Sequence, residues 1–296
     1  MITGILCALG MLTIGFAGYF LKDLLANKDN LEKETNFAIA AGIGFVTNFF
    51  DTLGIGSFAP MTALLRGFKQ IHDRVIPGTL NVSCTIPVAA EAFIFIAIIE
   101  VKIITLISMV AAAGIGAVFG AGIVAKLPEK KIQLTMGIAL LTTAFLMFSG
   151  KMEWIAGLGT GEAIGLTGGK LIIAVAVNFI LGAAQTAGIG MYAPSMALVY
   201  VLGMSPRVAF PIMMTAAAFA LPPASIQFIK EGAYNRKASL AITVTGIVGV
   251  FIAAYIVKSL PLAMLTWLVI IVIIYTAITL LLKAASKNKV EKVAAE

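Results

Sequence analysis

The sequence predicts an all-α polytopic membrane protein made of two inverted-topology repeats. Each repeat is a broken, re-entrant helix pair plus three transmembrane helices, and one extra N-terminal transmembrane helix precedes both. Three observations carry this reading: an apolar composition, apolar runs of membrane-spanning length, and an internal repeat at an offset of 134 residues. The chain is 60% hydrophobic and 12% charged over 296 residues, with a mean hydropathy of +1.03. Soluble domains average about 45–50% apolar and about 25% charged residues, so water would leave large apolar surfaces uncovered and the bilayer is the matching solvent.

Apolar runs cover roughly 2–21, 36–65, 75–99, 103–125, 132–149, 171–202, 208–229, 238–257 and 262–282, and short charged gaps separate them. No run alternates with period two, which argues against strands. Residues 1–26 form the N-terminal helix, because they have no basic leader or small-residue cleavage site. Repeat 1 occupies 36–149 and repeat 2 occupies 170–284, followed by a lysine-rich tail over 285–296.

The runs 36–65 and 171–202 are too long for one span, and glycines break each near its middle. Offset by 134 residues, Asp51-Thr52-Leu53-Gly54-Ile55-Gly56-Ser57-Phe58-Ala59-Pro60 overlies Gln185-Thr186-Ala187-Gly188-Ile189-Gly190-Met191-Tyr192-Ala193-Pro194. Pro77 falls on Pro211, and Leu127-Pro128 matches Leu260-Pro261 one residue out of step. Treating each broken segment as a hairpin puts 16 of the 21 Lys and Arg on one side, leaving Lys102, Lys151, Lys170, Arg207 and Lys258 on the other. A single crossing would divide them 13 against 8. The excess of basic residues on cytoplasmic loops favours the hairpin, with the N-terminus outside and the C-terminus cytoplasmic. The two halves are then inverted copies whose tips meet near the midplane.

Irregular backbone at membrane depth is tolerated where it is buried in protein or lines a cavity, and inverted repeats with interrupted helices place substrates there. Gly-x-Gly lets a ligand approach the backbone. Pro60 and Pro194 suit the first turn of a short helix whose positive end faces inward. The pattern points to a small anion bound by Thr52, Gly54, Ile55, Gly56, Ser57, Thr186, Gly188, Ile189 and Gly190. Two acids lie within the apolar runs, Asp51 and Glu91, and either is a candidate for proton coupling. Asp51 equally suits a cap on the break, and Glu91 a structural bond to a neighbouring helix. Asn48, Asn81, Asn178 and Gln227 read as helix–helix contacts. Pro87, Pro222 and Pro223 read as kinks.

Cys7 and Cys84 lack metal or redox spacing and read as packing residues, and His72 reads as a solvated loop residue. No cofactor or metal is implied, no basic patch suits nucleic acid, and no buried Ser–His pair or second intramembrane Asp suggests an enzyme. The partners implied are a small anion and the lipid bilayer, and a homo-oligomer is compatible with the chain.

The duplicated Gly-Ile-Gly followed by Pro resembles the TauE/SafE sulfite exporter family of bacterial and archaeal permeases over roughly residues 36–283. The family's usual run is Gly-x-Gly-Gly-Gly; here Ser57 and Met191 follow the second glycine. The resemblance implies a multi-pass permease of the cell membrane moving sulfite, sulfonates or related organic anions. A passive anion channel, needing no proton carrier, is the alternative.

Overall fold

The computed structural model describes residues 2–120, 129–152, 161–186 and 190–293, and its long helices lie on the apolar runs. Helix α1 (Ile2–Ala26) leads into the first half: α2 (Phe37–Thr52), α3 (Phe58–Gly67), α4 (Ile76–Ile98), α5 (Ile103–Ile115) and α6 (Glu129–Lys151). Helix α5 widens into a π turn over Gly116–Gly120. The second half holds α7 (Gly168–Thr186), α8 (Tyr192–Val201), α9 (Ala209–Lys230), α10 (Arg236–Ser259) and α11 (Leu262–Val293). No strand occurs among the described residues. The repeat positions Leu127 and Pro128 lie outside them.

Both broken segments turn back on themselves. The side chain of Asn36 caps α2 by accepting from Ala38 and Ile39, while its own backbone N–H donates to Gln70 Oε1 at 2.8 Å, just past α3. The Thr35 hydroxyl donates to the Gln70 carbonyl at 2.9 Å. In the second half the Lys170 ammonium at the start of α7 donates to the Leu202 carbonyl, just past α8, at 3.0 Å. Each segment therefore starts and ends at one end of the bundle. The ten-residue returning arms α3 and α8 span only about 15 Å.

The halves exchange contacts reciprocally. Helix α2 packs on α10, and its counterpart α7 packs on α5. A Cβ on Gly249 would meet the Phe45 carbonyl at 2.5 Å, and one on Gly116 would meet the Phe179 carbonyl at 2.0 Å. Phe45 and Phe179 are repeat mates, as are Gly116 and Gly249 to within one residue. Small residues at such crossings let backbones approach where lipid supplies no hydrophobic drive. Gly249→Leu is expected to destabilise the protein by about 1–3 kcal/mol through overpacking, checked by thermal unfolding in detergent.

Polar contacts sort into two ends separated by the length of α4. At one end the Asp23 carboxylate accepts from Arg236 Nε at 2.7 Å and from the Tyr234 hydroxyl, while Glu32 caps the start of α10 by accepting from the backbones of Arg236 and Lys237. This clamp ties α1 to the second half. Burial, reinforced by the bond to Asp23, pushes the Tyr234 phenol up, so it remains a donor. At the other end residues 161–167 are stitched between halves, with Lys102 N–H donating to the Ile164 carbonyl and Ser205 N–H to the Ala163 carbonyl.

Several expectations change in detail. Helix α11 runs on to Val293, through the lysine-rich segment read as a tail, because Ala, Lys and Glu favour helix and no Gly or Pro stops it. The amides of Asn48, Asn81 and Asn178 donate to carbonyls four residues earlier on their own helices, and Asn48 also packs against Gly246 of α10 as a helix–helix contact. Gln227 bonds Glu231 on its own helix and the loop beyond. Pro87 lies inside α4 and the Pro222–Pro223 pair inside α9, where each removes a helix hydrogen bond. Cys84 is buried, whereas Cys7 is exposed on α1, which buries only four residues of its length against protein. His72 pairs with Glu34 at the surface.

Candidate functional site

The first break is built by its own sequence. Helix α2 closes in a Schellman-type turn: Gly54 N–H donates to the Asp51 carbonyl at 2.7 Å and Ile55 N–H to the Phe50 carbonyl at 3.1 Å. Gly54 takes φ +94° and Gly56 φ +87°, the left-handed region. The two glycines differ in surroundings. A Cβ on Gly54 would lie 1.9 Å from Met196 Cε of α8, whereas a Cβ on Gly56 meets nothing within 4 Å. Gly54 fits against packed protein; Gly56 faces open space.

Asp51 holds the break together. Its Oδ1 accepts from the Ser57 backbone N–H at 2.8 Å and its Oδ2 from the Ser57 hydroxyl at 2.9 Å. Both oxygens are thus filled, and the carboxylate sits at the positive start of α3. The Ser57 hydroxyl also lies 3.6 Å from Cys84 Sγ on α4.

Of the second break, Gly188 and Ile189 lie outside the described residues, as does the Thr186 side chain. Gly190 is exposed, with nothing within 4 Å of a Cβ placed on it. Met191 precedes α8, whose first residue, Tyr192, is buried.

Glu91, fully buried on α4, joins the two breaks. Its Oε1 accepts from the Thr52 hydroxyl at 2.8 Å, at the end of α2. Its Oε2 accepts from the Tyr192 hydroxyl at 2.9 Å, at the start of α8. The Thr52 hydroxyl also lies 2.9 Å from the Asn48 carbonyl. One hydroxyl proton faces two acceptors, and a proton on Glu91 satisfies both contacts.

A cavity of about 20 Å³ lies between the breaks, lined by Asp51, Gly56, Ser57, Gln185, Gly190 and Tyr192. That volume holds about one water. A second cavity of about 70 Å³ shares Gly56, Gly190 and Tyr192 and reaches Gln133, Thr279 and Lys283. Toward the opposite end, a pocket of about 340 Å³ is lined by Glu100, Glu162, Ser205 and Arg207. Phe95 also lines it and stacks on Phe210 with centroids 5.3 Å apart, one helical turn from Glu91.

The structure therefore brings together Asp51, Thr52, Gly56, Ser57, Glu91 and Gly190. Ile55 lines the second cavity, and Gly54 is turned away against Met196. Sequence reasoning missed Tyr192, Gln185 and Lys283 as site residues. Tyr192 and Gln185 both stand in the repeated motif, so the duplication itself was the available signal.

Residues 170–295 match the family described as sulfite exporter TauE/SafE. No curated protein and no solved structure matches the chain. Among the described residues, six helices are long and apolar enough to cross a membrane: Ile2–Ala26, Ile76–Ile98, Gly168–Gln185, Pro206–Lys230, Arg236–Val257 and Thr266–Ala285. With the family match, these make the chain a multi-pass membrane protein.

Proposed function

Proceeding from the TauE/SafE match, we propose that the chain is a permease that moves a small anion, such as sulfite, a sulfonate or a related organic anion, across the cell membrane. The observation that carries this reading is Glu91, one buried carboxyl that bonds Thr52 at the first break and Tyr192 at the second. The breaks meet at a shared polar pocket rather than serving two separate packing contacts.

The halves act as inverted copies, 36–149 and 170–284, with the N-terminus outside and the C-terminus in the cytoplasm. The reciprocal Gly249–Phe45 and Gly116–Phe179 contacts support this relation, since a two-fold axis exchanges partners in this way. The positive ends of α3 and α8 face the anion, with backbone groups at Ile55, Gly56, Gly188, Ile189 and Gly190 and the hydroxyls of Thr52, Ser57 and Thr186 around it, while Gly54 packs on Met196 and serves only to turn the chain. Asp51 fastens the first break. Glu91 carries the coupled proton, which moves on and off as its bonds to Thr52 and Tyr192 form and part.

The central cavity holds about one water, too little for a sulfonate, so this conformation is closed around the site. The Phe95–Phe210 stack shuts it from the larger pocket at one end. Tyr192 stands between it and the cavity leading to Lys283. Phe95→Ala is expected to open a leak, raising passive anion efflux about tenfold or more by removing a buried aromatic barrier. Efflux from loaded proteoliposomes without a gradient measures it.

The reading is tested by flux in proteoliposomes with sulfite, sulfonates, sulfate and carboxylates, with and without a pH gradient. Transport of a sulfur oxyanion that rises with the proton gradient is the expected result. Failure across the panel refutes the assignment, and flux indifferent to the gradient replaces the coupled permease with a channel.

A further inference from the structure

We infer that the side-chain amide of Gln185 is the specificity-determining contact for the transported oxyanion, donating its N–H groups to the anion's oxygens. The inference rests on the proposed permease function and names a residue for its site.

Gln185 stands one residue before the end of α7 and is only 6% exposed. Its side chain lines the cavity between the breaks, and its Oε1 has no hydrogen-bond partner. A buried polar atom left unpaired within the protein is costly, and the cavity beside it has room for about one water or for one group of a ligand. Such a group persists where a partner from outside the chain completes it.

The other polar side chains of the cavity are already committed. Asp51, the repeat mate of Gln185, has both oxygens filled by Ser57. The Tyr192 hydroxyl is spent on Glu91, which lies behind the lining. The repeat has thus placed a carboxylate that closes one break opposite an amide that closes nothing. The start of α8 faces the same cavity through Tyr192, and the first N–H groups of a helix have no partner within it.

The chemistry of an amide selects the ligand. Gln carries two N–H donors and one carbonyl, and a half-turn about its last bond exchanges the ends. With the NH₂ group toward the cavity it offers directed donors and no fixed positive charge. Beside Asp51, a Lys or Arg in this place would be neutralised by it, whereas a neutral donor still recognises an anion and releases it. Two donors on one planar group suit an anion with several oxygens, not a halide.

The test uses the full chain in proteoliposomes, with sulfite, methanesulfonate and chloride as probes. Gln185→Met keeps length and removes the donors; Gln185→Glu keeps shape and adds a negative charge; Gln185→Asn keeps the amide chemistry. The expected result for Gln185→Met is a KM for the transported oxyanion raised about 10- to 100-fold, as for loss of a hydrogen bond to a charged group, with Vmax little changed. Gln185→Glu abolishes uptake, and Gln185→Asn retains part of it. Thermal unfolding separates this role from a structural one. Gln185→Met should melt at or above the wild-type temperature without ligand, because an unpaired group has gone, and should lose the stabilisation by added oxyanion. A wild-type protein that transports the oxyanion together with a Gln185→Met variant of unchanged KM overturns the role of Gln185 alone. A Gln185→Met variant that melts lower and keeps its KM also overturns it, by showing a packing role. A wild-type protein that moves neither sulfite nor methanesulfonate removes the permease reading itself, and the inference with it.

Discussion

Gly56→Leu is expected to abolish anion flux, by about 100-fold or more, while the protein still inserts and folds. The two consequences come from two features of one residue. Gly56 has φ +87°, so any L side chain there carries strain of about 1–3 kcal/mol. No atom lies within 4 Å of the added Cβ, so the first carbon of the side chain meets no packed neighbour and backbone strain is the main penalty on folding. The leucine then occupies the space shared by the two cavities between the breaks. Gly54→Leu is the control with the opposite balance. Its Cβ would fall 1.9 Å from Met196 Cε, and its φ is also positive, so it should lose folded protein before transport can be measured. Gly190→Leu should lose flux like Gly56→Leu, since its Cβ also meets open space. Fluorescence-detected size exclusion reports folding and liposome uptake reports flux. Normal uptake by both Gly56→Leu and Gly190→Leu would reduce the breaks to packing features.

These expectations draw on parts of the chain that differ in how openly the sequence displays them. The two breaks were legible because Gly-Ile-Gly and Pro recur at one offset, and because a run longer than a membrane span has to turn or bend. The return of each segment to its starting end followed from counting Lys and Arg, and the bonds of Asn36 to Gln70 and Lys170 to Leu202 agree with it. The partners of Glu91 were not legible. Thr52 and Tyr192 lie 39 and 101 residues from it in sequence, and local pattern carries no information on which distant hydroxyl will face a buried acid. Gln185 was visible only as the neutral mate of Asp51. Its significance depends on an absence, the missing partner of Oε1, which exists only once the chain is packed. The reciprocal glycine contacts were hidden for a related reason: Gly116 and Gly249 look like any small residues in an apolar run until Phe179 and Phe45 are brought against them.

Glu91→Gln is expected to separate transport from its coupling. The amide has the shape of the carboxyl, can accept from Tyr192 through its oxygen, and can donate to Thr52 through its nitrogen, so both hydroxyls stay partnered and the Thr52 proton is free for the Asn48 carbonyl. The variant should therefore fold with a melting temperature near the wild type and still exchange anion down its own gradient. It should not accumulate anion in response to a pH gradient, because an amide binds no proton in the accessible range. Glu91→Ala differs: Thr52 keeps the Asn48 carbonyl, but the buried Tyr192 hydroxyl is left without its partner, at about 1–3 kcal/mol, and a cavity opens, so the variant should melt markedly lower. Asp51→Asn provides the contrast that assigns the roles. Asp51 takes two bonds from Ser57; an Asn oxygen can keep the backbone one and its NH₂ can donate to the hydroxyl, but the negative charge at the positive start of α3 is lost. This variant should loosen the first break and lower Vmax, yet whatever flux remains should still follow the proton gradient. Measured together, uptake against imposed pH gradients for the three variants places the coupled proton. If Glu91→Gln accumulates anion with wild-type dependence on the gradient, the carboxyl between the breaks is a structural tie and the proton travels elsewhere.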